Sequence, residues 1–527
     1  MAIGLALLAP VLAVGIAAWA CWGRPAHAAA VWRAAQGALG VGLGALVAVG
    51  ALLVISPDQP MVAGWVVITP LSAILAVLVQ GLAVVIAAFS GRYLQGDAQG
   101  LAGQRRYAAA LVGVLASVQV LLLADHWMLL IAAWAAVGAC LQPLLCFYGD
   151  RPFALLAAHK KRLADRVADG LLVGSAALAW YEVGSGSLTQ LAQHVIQHTG
   201  PSNVSMGLQA SAVLLVLAVV MRTALLPVHG WIIQVMEAPT PVSALLHAGV
   251  VNLGGWVLIR QSALIEASPV ARGLLVGVGV ITALLAGMVM MTRISIKVRL
   301  AWSTVAQMGF MVMECGLGLY TLAALHLMGH SLYKAHAFLA ASGAVQQTRL
   351  QQMRGQVVPA AWSLCAAPVL TWVLVAGLQA ALPIPSWPVW WTVVLSLAWA
   401  PLMWAPTSTP DATGHSVVML AGACLVAGLT LLATLGHVLP LGLVEAPHGS
   451  AGWWVVLAMG AMYVALVVLQ RWPEKLSAWR RWSYAGFYVD EVYTRITLSL
   501  WPARWTPRKT ALQDEWAPSS SLMAAKD

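Results

Sequence analysis

Apolar residues in this chain run in long blocks, with polar positions confined to the gaps. Blocks lie near 2–20, 34–55, 62–90, 107–124, 127–148 and 163–182. Others follow near 208–227, 240–260, 272–291, 300–319, 321–344, 363–382, 389–405, 416–439 and 452–470. A helix needs about 20 apolar residues to cross a bilayer, and each block approaches that length. Inside lipid the backbone must satisfy its own hydrogen bonds, which leaves helices as the conformation for such blocks. The pattern predicts an all-α polytopic membrane protein of 13 to 15 transmembrane helices. Proline-broken segments leave the count open within that range.

Composition agrees. Of 527 residues, 61% are hydrophobic and 9% charged, against about 25% charged in soluble domains. Too few polar groups are present to cover a water-facing surface, so lipid is the main solvent. The net charge of +10 suggests nucleic acid only if the basic residues cluster. Here they sit in short connections, where they set topology, and no nucleic-acid partner is expected. Arg24 and Arg33, then Arg92, Arg105 and Arg106, then Arg151, Lys160, Lys161 and Arg162 follow the first, third and fifth spans. The loops around 56–61 and 183–207 hold no Lys or Arg. The basic loops then face the cytoplasm and the N-terminus faces outside.

The N-terminus is apolar from the start and reads as a retained first span, not a cleaved signal. Six scattered cysteines (21, 140, 146, 315, 365, 424) show no metal-binding spacing, so no metal site is predicted. The tail, 471–509, with Trp472, Trp479, Trp482, Arg480, Arg481, Arg495, Arg504 and Arg508, reads as an interfacial segment. A polar end, expected to be disordered, follows it.

One segment breaks the apolar pattern. Residues 222–249 read RTALLPVHGWIIQVMEAPTPVSALLHAG. Pro227, Pro239 and Pro241 forbid a continuous helical ladder, and such breaks at membrane depth occur where protein or water satisfies the freed groups. Arg222, His229, Glu237 and His247 flank the break. Ionisable groups so placed mark a conduction route; the weaker alternative, by composition alone, is that Arg222 and Glu237 end helices and reach for the interface.

Downstream, LAALHLMGHSLYKAHAFL places His326, His330 and Lys334 at i, i+4 and i+8. They stack over about 12 Å of one helix face. Such a column could pass a proton, since histidine titrates near neutrality. By spacing alone, three separately satisfied core residues is an equal reading. His336 lies off that face and is read as structural.

Met236–Gly249, MEAPTPVSALLHAG, resembles the signature of the antiporter-like membrane subunits of respiratory complex I and of Mrp-type cation/proton antiporters. The similarity runs over 90–345 and resumes at GFYVDEVYTR, Gly486–Arg495. The resemblance implies two inverted-repeat bundles with proline-broken helices. It divides the chain into N-terminal helices (1–106), a first bundle (107–291), a second, degenerate bundle (292–470) and a tail (471–527).

It also implies that His326, His330 and Lys334 belong to a central hydrophilic axis. SIKVRLAWSTVAQMGF resembles DIKRxLAYSTxSQxG, with Lys297, Ser303, Thr304 and Gln307 fitting and Ser295 in place of Asp. LADRVADG, with Lys160 before it, matches charged positions of the family's sixth helix, and Arg166 and Asp169 are spaced to pair.

The chain departs from that family in three places. Where the family has WEGVG, this chain has WAAVG, so Ala135 stands at the Glu position and Arg222 at its lysine partner. An arginine does not release its proton. Asp125, Asp169 or Glu237 would have to supply the carboxylate, with Asp169 the first choice. The second half keeps a proline-rich stretch, ALPIPSWPVWW (381–391), but 355–470 contains no Lys or Arg. Its titratable residues are Asp411, His415, His437, Glu445 and His448. Pro502 and Pro507 leave no room for a long lateral helix, an expectation against a complex I subunit.

RTALLPVHGW and HAGVVNLGG resemble the membrane subunit of the DAB complex. That resemblance implies an H+- or Na+-translocating subunit that energises CO2/bicarbonate uptake. It also implies a large soluble, zinc-binding, carbonic-anhydrase-like partner and a place in the cell inner membrane. The alternatives are an Mrp-type or redox-linked antiporter subunit, and a membrane anchor that has lost conduction. No GxSxG, Walker loop or HExxH occurs, so no catalysis and no cofactor are expected in this chain.

Overall fold

In the computed structural model, residues 1, 24–26, 56–60, 98, 199–203, 342–358, 385, 408–411, 473 and 504–527 are outside the described set. Arg24, Asp411, Arg504, Pro507, Arg508 and most of the 56–61 loop therefore lie outside the described residues, as does the side chain of His415.

The first helices are α1 (Ala2–Trp22), α2 (Ala28–Ile55), α3 (Pro70–Tyr93), α4 (Gly100–Leu123), α5 (Trp127–Leu145) and α6 (Pro152–Val183). A surface helix α7 (Leu188–His198) leads to α8 (Met206–Arg222), which the break separates from α9 (Gly230–Gln234). There follow α10 (Thr240–Ala248), α11 (Leu253–Arg260), α12 (Ser262–Glu266), α13 (Pro269–Met291), α14 (Ile296–Gly316) and α15 (Tyr320–Ala340). The second half holds α16 (Ala361–Ala381), α17 (Val389–Trp399), α18 (Ala412–Gly436) and α19 (Gly449–Arg471), and the tail holds α20 (Ser477–Tyr484) and α21 (Val489–Leu500).

Ten spans are long and apolar enough to cross a membrane, with α10–α11 counted as one; α8 and α17 are shorter apolar helices. α6, α14 and α15 are also long, with 32, 21 and 21 residues, yet fall outside the ten. They carry many of the buried ionisable residues, among them Lys160, Lys161, Asp165, Glu314, His330 and Lys334. Counted together these make fifteen candidate crossings among the described residues, the upper end of the predicted range. The protein is a multi-pass membrane protein.

Three boundaries differ from the sequence expectation. The block at 62–90 begins as a hairpin, Met61–Ala63 paired with Val66–Ile68. Its helix starts only at Pro70, where Thr69 and Ser72 form a capping box. The span 240–260 is itself broken: α10 ends at Ala248, a 3-10 turn covers Val250–Asn252, and α11 resumes at Leu253. The stretch 381–391 connects the end of α16 to the start of α17, so its described prolines sit at helix ends and do not break a span.

One buried cluster runs through α1–α15, and a smaller one around Trp387, Trp390 and Trp391 ties α16–α19 to the ends of α13–α15. Lipid gives helices little hydrophobic reason to associate, so close backbone approach carries their packing. At the α13–α14 contact a methyl on Gly279 would lie 2.7 Å from the Gly309 carbonyl oxygen, and one on Gly309 2.7 Å from the Ala283 nitrogen. The tail does not simply lie on the surface. Gly486, Phe487 and Tyr488 all take left-handed backbone, with φ of 65, 55 and 57°, and turn the chain so that α21 packs beneath α9.

Candidate ion-translocation site

A helix of 32 residues is about 48 Å long at 1.5 Å per residue, longer than the ~30 Å hydrocarbon layer. The first turns of α6 therefore project, and its polar side chains descend into the bundle. Lys161, Asp165 and Asp169 follow at i, i+4 and i+8 on one face, towards α8. Lys161 Nζ donates to Asp165 Oδ1 and lies 5.0 Å over the Trp231 ring. Arg222, at the C-terminus of α8, donates from Nη2 to Asp169 Oδ1 and from Nη1 to the Trp134 carbonyl at 2.8 Å. Its Nε stands 4.0 Å from Asp165, and its guanidinium 4.8 Å over the Trp134 ring.

The carboxylate beside Arg222 thus comes from α6. Arg166 is not its partner. One residue beyond Asp165 it lies about 100° around the helix, on the outer face, and is exposed. Asp125 belongs elsewhere, bound to Arg260 at 2.5 Å and to Ser187 and Thr189. Glu237 does not reach Arg222 either. It sits in a 3-10 turn, its backbone carbonyl accepts from Arg151 at 2.6 Å, and its Oε2 is buried without a hydrogen-bond partner among the described residues.

Lys160 is fully buried and donates to Asp490 of the tail at 2.7 Å. Gln234 Nε2 donates to the other oxygen of Asp490 at 2.9 Å. Gly230 leaves room for the pair, since a methyl there would stand 1.4 Å from Asp490 Oδ1.

After Arg222 the ladder stops. Ala224 takes a left-handed φ of 55°. The freed Leu226 N–H donates to Thr282 Oγ1 at 3.3 Å, the kind of protein-supplied partner a break in a membrane needs. His229 is buried against Trp302, ring centroids 4.9 Å apart, with Nδ1 3.3 Å from the Pro227 carbonyl.

The second constellation is built by α10, α14 and α15. Lys334, fully buried, donates to the Leu300 carbonyl at 2.9 Å and to Ser303 Oγ. None of these acceptors is a carboxylate. His330 Nε2 lies 3.2 Å from the His247 carbonyl. His247 is stacked on Phe338 and bonded to Thr304 Oγ1 at 2.9 Å. The His326 and His330 rings are 6.2 Å apart. His326 Nδ1 meets Glu314 Oε2 at 2.8 Å, and Nε2 meets Gln307 at 2.6 Å. A glutamine amide presents either its oxygen or its NH2 to a ring nitrogen, so Gln307 can follow both charge states of His326. Lys297 donates to Thr240 Oγ1 at the start of α10 at 3.0 Å. His336 is exposed on the other face.

Lys161, Asp165, Glu314 and Asp490 join these clusters although the sequence reading did not single them out as site residues. The i, i+4, i+8 spacing of Lys161, Asp165 and Asp169 was the available signal for the first two. GFYVDE was the signal for Asp490. Glu314, alone before a helix-ending glycine, had none. In the second half His437 faces Glu445 at 3.5 Å and His448 faces Glu266 at 2.8 Å, both at helix ends. Among the described residues no group of three or more His, Cys, Asp or Glu is placed to hold a metal ion.

Buried, mutually bonded ionisable groups on broken helices are arranged here as in an antiporter-like membrane protein. Residues 124–405 match the family described as NADH:quinone oxidoreductase/Mrp antiporter, TM, and the chain belongs to that family. The probable inorganic carbon transporter subunit DabB of Hydrogenovibrio crunogenus is 37% identical over 472 residues, 86% of this chain and 87% of that protein. The probable inorganic carbon transporter subunit DabB2 of Halothiobacillus neapolitanus is 34% identical over 82% of this chain and 80% of its own length. In structure the chain resembles a chain of the Mrp complex from Dietzia sp., with a TM-score of 0.57 at 21% identity. That likeness covers 97% of this chain and 61% of the Mrp chain and concerns the fold.

Proposed function

We propose that this protein is the cation-translocating membrane subunit of an inorganic-carbon uptake system. H+ or Na+ moving through it energises accumulation of CO2 or bicarbonate. The observation that carries this reading is the 37% identity to an inorganic carbon transporter subunit along nearly the whole of both chains. Its partner in the hetero-complex is a large soluble, zinc-binding, carbonic-anhydrase-like subunit. Zinc and the hydration chemistry belong to that partner, and this chain uses no cofactor.

In this reading Arg222, held by Asp169 and the Trp134 carbonyl, is a fixed charge. The groups that exchange protons are His247, His326, His330 and Lys334, whose bonds link α10, α14 and α15. Lys160, His229, Glu237 and Lys297 line the approach from the basic, cytoplasmic side.

Purification of the tagged chain from its native membrane, followed by metal analysis and an uptake assay with labelled bicarbonate, tests the proposal. A zinc-bearing soluble partner, and uptake that an uncoupler or sodium ionophore collapses, are expected. A flavin or iron–sulfur assembly, or uptake indifferent to both ionophores, would sink it.

A further inference from the structure

Asp165 stands between two cations of different character. Lys161, 4% exposed, donates to its Oδ1, and the Nε of Arg222 lies 4.0 Å from the same oxygen. Arginine keeps its proton at any physiological pH, whereas a lysine can release one. Arg222 is already served by Asp169 and the Trp134 carbonyl, which leaves Asp165 chiefly to Lys161. The other oxygen of Asp165 faces α5, where a methyl on Gly138 would stand 2.7 Å away. The side-chain-free surface of α5 makes the carboxylate's place.

An i,i+4 lysine–aspartate pair on a water-facing helix contributes little and needs no special room. This one is buried at the meeting of α5, α6 and α8, where keeping two charges away from water is costly unless they serve each other.

We propose that Lys161 and Asp165 are the proton-carrying pair at the entrance of the translocation route, positioned by the fixed charges of Arg222 and Asp169. The inference rests on the cation-translocating reading above. In the step, a proton passes from Lys161 Nζ to Asp165 Oδ1. One N–H bond breaks and one O–H bond forms, giving a neutral amine and a neutral carboxylic acid with the pair's net charge unchanged. Arg222 then faces Asp169 alone. Asp165 hands the proton onward, and Lys161 takes up another from water on the cytoplasmic side.

The test uses the full complex in lipid vesicles, with proton flux read by an entrapped pH dye. Lys161→Arg keeps the charge and the ion pair but holds its proton. It is expected to assemble with its partner at wild-type yield while flux falls at least tenfold, and the residual flux loses the limb of its pH profile owed to the amine. Wild-type flux and profile in K161R overturn the proposal. Should K161R fail to assemble, the doubly neutral Lys161→Gln/Asp165→Asn variant decides, because it leaves no unpaired charge. It is expected to assemble and carry no flux, and flux within twofold of wild type overturns the proposal. A wild-type complex that takes up bicarbonate without moving protons or sodium sinks the underlying reading before any variant is compared.

Discussion

Removing the carboxylate of Asp490 would leave Lys160 buried, charged and alone. Breaking a buried pair by deleting one partner costs about 3–5 kcal/mol. The Asp490 side chain is 23% exposed, however, while Lys160 is 0% exposed. Water reaching the vacated site would meet part of that cost, so roughly 2–3 kcal/mol is the better expectation for Asp490→Ala. At 1.4 kcal/mol per tenfold, the docked-to-undocked ratio of the tail falls roughly 30- to 150-fold. Arg495 is exposed on α21, and trypsin acting on inside-out membrane vesicles reads this ratio. When reclosing outpaces cleavage, the nicking rate tracks the open population. Replacing both partners, Lys160→Met with Asp490→Leu, removes the orphaned charge and should recover most of the protection. Nicking of D490A at the wild-type rate would refute the reasoning, as would a double variant no better protected than D490A.

Gly230→Ala places a methyl 1.4 Å from Asp490 Oδ1 and should loosen the tail to a similar extent in the same assay. Arg166→Ala, on the exposed face of α6, should leave bicarbonate uptake within twofold, since surface changes usually stay within about 0.5 kcal/mol. Asp169→Asn leaves Arg222 without its closest carboxylate and should lower uptake at least tenfold, measured beside membrane abundance to separate turnover from assembly. Glu314→Gln removes the carboxylate bonded to His326 and should lower uptake while sparing tail protection. If Asp165 occupies the space a glutamate at position 135 would use, Ala135→Glu should restore uptake to an Asp165→Asn chain. An inactive double variant would argue against that equivalence.

Long apolar blocks and prolines made the helices and the first break readable, because lipid leaves helix as the one conformation such blocks can take. The break at Gly249 was hidden, since its residues, Gly249–Asn252, are neither proline nor charged in a block that reads as continuously apolar. The column His326, His330 and Lys334 could be placed on one face from spacing alone. What spacing could not supply was partners on other helices. Arg166 and Asp169 look paired along α6, yet the guanidinium that reaches Asp169 belongs to Arg222, 53 residues later. Asp490 meets Lys160 across 330 residues, a contact that no local pattern encodes.

The second half bears on how the first works. Its described helices α16–α19 hold no Asp, Glu, Lys, Arg or His apart from His415 near the start of α18 and Arg471 at the end of α19. Trp391 stands 5.6 Å from Phe310, and Phe310 stands 5.9 Å from His326. An aromatic layer therefore closes the histidine column on that side. Such a wall lowers the local dielectric, which strengthens every hydrogen bond and charge interaction behind it and raises the cost of any group left unpaired. The buried partner of His326, Glu314, then matters more than it would in an open channel. On this argument the second half would insulate the proposed route along α15, and widening it with Trp391→Ala should weaken the coupling of uptake to the ion gradient before it weakens assembly. Uptake that stays tightly coupled in W391A would show that the aromatic layer only packs.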